Sequence, residues 1–135
     1  MKREILFRGK RIDNDEWVYG YFWFIKEHYS PRISNRHYIK SIKNGLDYEV
    51  TPEAIGQFTG LTDKKRVKIF EGDILLSESW GANARSKRKT HIVEWGKVGW
   101  LASGYNGDMV VKPSLDVKSD WQVIGNIHDN PELLK

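Results

Sequence analysis

The chain has 135 residues, the size of one ordinary domain, so it can bury a core without covalent staples. It contains no cysteine, which excludes a disulfide scaffold, a thiolate metal site and a cysteine nucleophile. The net charge of +4 is uneven: residues 1–70 hold 14 Lys/Arg against 9 Asp/Glu, and residues 71–135 hold 8 against 9.

Lys2–Phe7 is predicted to be a strand. The amino-terminal segment MKREILFRGK lacks the apolar core and small-residue cleavage site of a secretory signal. A turn follows at Asp13-Asn14-Asp15, and then the long strand Glu16–Ile25, EWVYGYFWFI. Trp17, Tyr19, Tyr21, Trp23 and Ile25 fall on one face at period two, and Val18, Phe22 and Phe24 fall on the other. Gly20 leaves a gap and marks a bulge or a close backbone approach. A strand apolar on both faces is usually covered on both. One face therefore suits the core, and Trp17, Tyr19, Tyr21 and Trp23 are candidates for a protein interface, a second copy of the chain included. The apolar run Trp17–Ile25 is far shorter than the roughly 20 residues that span a bilayer. A cytoplasmic protein with no membrane partner is expected.

Further along, His37–Ile42 reads as a strand and Asn44-Gly45 as a turn that tolerates positive φ. Thr51 is the expected N-cap of a short helical piece over Pro52–Ile55. Two lobes should meet near Thr59–Arg66. Strands are then predicted at Gly72–Ser77, Thr90–Trp95, Gly99–Ser103, Met109–Lys112 and Trp121–Ile127. Asn106-Gly107 is a further turn, and a polar loop spans Gly81–Thr90. A last helical turn covers Pro131–Leu134, with Asn130 as its N-cap. No stretch repeats apolar residues at i, i+3, i+4 and i+7 over three turns. The fold class is therefore mostly β with only short helical turns. Residues 1–60 form an N-terminal β-sheet lobe and residues 61–135 an SH3-like small barrel.

Catalytic signatures are absent: there is no GxSxG, HExxH, P-loop or GxGxxG pattern. His28, His37, His91 and His128 have no ligand spacing between them. His28 and His37 could converge in a hairpin but would need a third ligand such as Glu27 to hold a metal, and Glu71 and Asp73, which flank Gly72, could bind one with Glu94 on the facing strand. The competing reading makes Gly72 a special-φ turn and Asp73 an acceptor for nearby amides. No metal, no cofactor and no enzymatic activity are expected. The loop residues Arg85, Lys87, Arg88 and Lys89 are candidates for nucleic-acid binding, since four cations in five residues can neutralise several phosphates. Trp80, Trp95 and Trp100 lie around them, and aromatics beside cations are how single-stranded bases are stacked.

Four segments recur in order: FRGK at Phe7–Lys10, GQFTGLTDK at Gly56–Lys64, IFEGDIL at Ile69–Leu75 and DWQVIGNIHDNPELL at Asp120–Leu134. In combination they resemble the YopX family. The chain departs from its common pattern at Lys65-Arg66-Val67-Lys68, where the family tends to have an Asn-Gly-Lys turn before an Ile-Tyr pair. The resemblance implies a small β-rich phage or prophage product in the cytoplasm of a bacterial host. It implies no catalytic residues. Its recurring positions read as structural: Gly60 and Gly72 in turns, Gly125 at a strand irregularity, Phe58, Ile74, Trp121, Val123 and Ile127 in a core. The leading expectation is a non-enzymatic accessory protein that binds a host or phage protein. A nucleic-acid-binding module using the basic loop is the alternative, and a metal-dependent enzyme is the third reading.

Overall fold

A computed structural model describes residues 4–29, 32–77, 89–97, 99–106, 109–111 and 121–134. These residues build antiparallel strands, with isolated 3-10 turns at Pro52–Ala54 and Pro131–Leu134. The chain is mostly β, as its aromatic and β-branched composition requires. Among the described residues no helix is long and apolar enough to cross a membrane. The chain divides into two compact units, Met1–Phe58 and Thr59–Lys135.

In the first unit β1 (Phe7–Lys10), β2 (Trp17–Tyr29), β3 (Arg32–Ser41), β4 (Asp47–Glu49) and β5 (Gly56–Thr62) lie in the order β4-β3-β2-β1-β5. Of the predicted strand Lys2–Phe7, Lys2 and Arg3 lie outside the described residues, and among those described the pairing with β2 starts at Phe7, opposite Gly20, and runs to Lys10 opposite Trp17. The β2–β3 hairpin is the longest pairing, from Gly20↔Ser41 to Tyr29↔Arg32. Burial follows the period-two pattern. Val18, Ile39 and Val50 form the core, with Phe7, Phe22, Tyr48 and Ile55 packed against it. The other face of β2 turns outward.

The Asp13-Asn14-Asp15 turn forms as expected. Asp15 takes φ 58, and the Asn14 side chain accepts the Glu16 N–H at 3.0 Å. The Arg11 guanidinium bridges both oxygens of Asp13 and holds that carboxyl below the ordinary aspartate range. Gly45 takes φ 74 in the next turn. Thr51 does not cap the following 3-10 turn with its side chain. A turn of three residues has few orphan amides to satisfy, and Pro52 supplies none.

Gly20 is a close approach between backbones. A Cβ there would overlap the carbonyl oxygen of Lys40 on the neighbouring strand. Gly20→Ala should therefore push β2 and β3 apart, at a cost of about 1–3 kcal/mol. Urea unfolding followed by circular dichroism measures this, and an unchanged midpoint would contradict it.

In the second unit β5 continues and pairs β6 (Lys68–Phe70) across a turn expected at Lys64-Lys65-Arg66, although neither strand was predicted. The Thr59 hydroxyl donates to the Ile69 carbonyl at 2.8 Å within it. β7 (Asp73–Ser77), β8 (Lys89–Gly96), β9 (Gly99–Asn106), β10 (Met109–Val111) and β11 (Gln122–Asn126) form a second sheet, ordered β10-β9-β8-β7-β11. Among the described residues no pairing joins β10 to β11, and the barrel closure expected of residues 61–135 is not shown by this sheet. Ile69, Leu75, Val93, Ala102 and Trp121 are its core, supported by Leu61, Trp100 and Val123. A register shift between Val123 and Gly125 is the irregularity expected at Gly125. The predicted Asn106-Gly107 turn lies at the edge of the described residues, and Gly107 lies outside them.

Candidate functional site

Period-two alternation and strand register assemble one outward surface on the first unit. On β2 it carries Trp17, Tyr19, Tyr21, Trp23 and Ile25. Register adds Lys10 opposite Trp17 and Arg8 opposite Tyr19. It adds Lys40 opposite Tyr21, Tyr38 opposite Trp23 and Arg36 opposite Ile25. β4 closes the edge with Asp47 opposite Lys40 and Glu49 opposite Tyr38. The four sequence-predicted residues Trp17, Tyr19, Tyr21 and Trp23 therefore share one face. Tyr21 is 59% exposed and Tyr19 39%.

The rings on this surface are held flat and in place. Trp23 stacks on Tyr38 with centroids 4.5 Å apart and planes 16° from parallel. Its indole N–H donates to Asp47 Oδ1 at 2.9 Å, and Lys40 Nζ donates to Asp47 Oδ2 at 3.1 Å. The Trp23 and Lys40 donors hold the Asp47 carboxyl below the ordinary aspartate range. Trp17 lies under two cations, the Arg8 guanidinium at 4.6 Å and the Lys10 ammonium at 5.5 Å from the ring centroid. Arg8 is itself buried, which suits a weakly hydrated guanidinium over a ring. Sequence reasoning missed Arg8, Lys10, Tyr38 and Lys40 as members of this surface. Period two gave the strand's own face, but cross-strand neighbours depend on a register that no local pattern states.

The opposite face of the same hairpin ends in a second aromatic group. Phe22, Phe24 and His37 stack within about 6 Å of one another, and Phe24 is 56% exposed.

The other candidates fall elsewhere. Arg85, Lys87, Arg88 and Trp80 lie outside the described residues, and Lys89 opens β8 opposite Ser77. Trp95 is exposed and meets Trp100 edge to face at 4.9 Å, while Trp100 supports the core. Asp73 is fully buried and accepts the Phe70 N–H at 2.7 Å. Gly72 takes φ 89 beside it, so this acid is a structural acceptor in a tight turn. Among the described residues no three His, Asp or Glu side chains group to hold a metal. His128-Asp129 is a turn organised by Asn126, whose Oδ1 accepts both of their N–H groups at 3.0 and 2.9 Å. The Asn130 carbonyl accepts the Leu133 N–H, and its side chain reaches back to the Asn126 N–H at 3.3 Å.

A family model described as YopX protein matches residues 6–135. Among solved structures, the crystal structure of protein EF1440 from Enterococcus faecalis is similar. It shares 24% identity at a TM-score of 0.50, covering 99% of this chain and 100% of that one. Comparison with curated proteins found no match. The structural likeness, at this identity, concerns the fold.

Proposed function

The chain belongs to the YopX protein family, and from that premise we propose that it is a non-enzymatic binding module whose working surface is the outward face of the first sheet. The observation that carries this is the exposure of Tyr19 and Tyr21 between the fixed rings of Trp17 and Trp23. Large aromatic rings on a surface gain most when a partner covers them. Phenols and indoles need few ordered torsions, so the cost of binding is low. The family resemblance supports a phage or prophage setting and a bacterial cytoplasm, and an accessory protein fits that setting.

Pull-down from bacterial lysate with tagged protein tests the reading, compared with a Tyr19→Ala/Tyr21→Ala variant. Both side chains are exposed, so the variant should melt within a few degrees of the parent. The parent should recover a macromolecule that the variant does not. Equal recovery by both, or none by either, would overturn the assignment of this surface.

A further inference from the structure

We infer that the partner of this surface is single-stranded nucleic acid, bound through the π faces of its bases and its phosphates; the inference rests on the binding-module reading above. The sequence favoured a protein partner, and the placement of charge on the folded sheet changes that preference. Lys10, Arg36 and Lys40 enter the aromatic face from both neighbouring strands. Lysine is depleted in protein interfaces. A second copy laid on this face would set these cations against themselves. Asp47 and Glu49 are the acids β4 adds, and Asp47 already accepts from Trp23 and Lys40. A phosphate chain meets both features at once, with charge for the cations and flat bases for the rings.

Spacing selects the form of the polynucleotide. Rings on alternate residues of one strand recur about every 6.7 Å, about twice the 3.4 Å stack of a duplex strand. Bases on successive rings must therefore be splayed, which a single strand permits and a duplex does not. Nothing in this chemistry reads the sugar, so oligothymidine and oligouridine should bind alike.

The test is fluorescence anisotropy of labelled oligothymidine and oligouridine of about 16 nucleotides, the upper end of common site sizes, over a series of salt concentrations. Tyr21→Ala should weaken binding about 5- to 150-fold, and Tyr21→Phe should restore it, because the stacking face is kept. Lys10→Ala and Arg36→Ala should each flatten the slope of log K against log salt by about 0.7, and Lys40→Ala by less, because Lys40 is already paired with Asp47. Replacing Arg85, Lys87, Arg88 and Lys89 together by Ala should leave affinity and slope unchanged. Duplex of the same length should fail to compete. No binding by the parent protein overturns the inference. So does binding lost in the loop variant and kept in Tyr21→Ala. A dimer seen by light scattering and abolished by Tyr21→Ala would assign the face to a second copy instead. Nuclease-resistant capture that still depends on Tyr19 and Tyr21 would overturn the nucleic acid and keep the binding-module reading. Capture independent of those tyrosines would remove both.

Discussion

Trp121→Ala is expected to lower the free energy of unfolding by roughly 3–5 kcal/mol. The side chain is 9% exposed and sits in the core of the second unit with Ile69, Leu75, Val93 and Ala102. His91 meets it edge to face at 5.1 Å and 75°, a favoured arrangement for two rings. Truncation removes the ring's transfer energy and leaves a cavity that strands pinned by ladder bonds cannot collapse into. Its carbonyl still accepts the Lys64 N–H, so the backbone of the closing segment should stay in place. Trp121→Phe should recover part of the loss. Denaturant unfolding followed by circular dichroism gives the number, and a near-neutral result would mean that this ring is not part of the core.

The second large effect is expected at Asp63, where one carboxylate organises two distant pieces of chain. Its Oδ1 accepts the N–H groups of Lys65 and Val67 at 2.8 and 2.9 Å. Its Oδ2 accepts that of Val123 at 3.0 Å. Burial pushes the Asp63 carboxyl up, and the Val123, Val67 and Lys65 N–H groups with the Lys65 charge override this and hold it below the ordinary aspartate range. Asp63→Ala removes the charged acceptor of three part-buried backbone N–H groups, and a hydrogen bond to a charged group contributes about 1.5–3 kcal/mol, less where water can replace the acceptor. A loss of about 3 kcal/mol or more is therefore expected. Asp63→Asn should cost less, since one oxygen can still serve the turn while its amide opposes the Val123 N–H. The pH dependence has a fixed sign. A depressed folded pKa gives stability that is full above the unfolded aspartate value, about 3.9. That stability is lost as pH falls through the folded value. Asp63→Asn should flatten the acid limb of the stability curve, and an unchanged limb would show that Asp63 carries no linkage.

Legibility in the sequence followed the range of the interactions. Turns at Asp13–Asp15 and Asn44-Gly45, the two faces of Trp17–Ile25 and the irregularity at Gly125 are all local, and the sequence stated them. β4, β5 and β6 were missed: β4 and β6 have three residues each, too few for a periodic signal, and Gly56 and Gly60 interrupt the pattern of the seven-residue β5, whereas the equally short β10 was flagged by the Asn106-Gly107 turn before it. The role of Asp63 was invisible because its partner Val123 is 60 residues away. The candidate surface was half legible. The tyrosines and tryptophans of β2 were read from period two, while the cations that give the face its charge arrive from β1 and β3. Capping at Thr51 failed because residue preference states an opportunity and not a bond.

β7 lies between β8 and β11, and its outer edge is closed by the last strand, with Asn126 opposite Asp73. Synthesis at about 5–20 residues per second leaves that edge open for roughly 3–10 s after β7 has been made. Ile74 and Leu75, both fully buried in the finished molecule, sit on it throughout that wait. A message broken before Gln122 would make the wait permanent. The product would carry an apolar strand with a full row of unanswered amides, a template for joining other nascent chains. Premature stops that fall shortly before Gln122 should therefore yield inclusion bodies in place of a shortened, working protein, and stops after Asn126 should not.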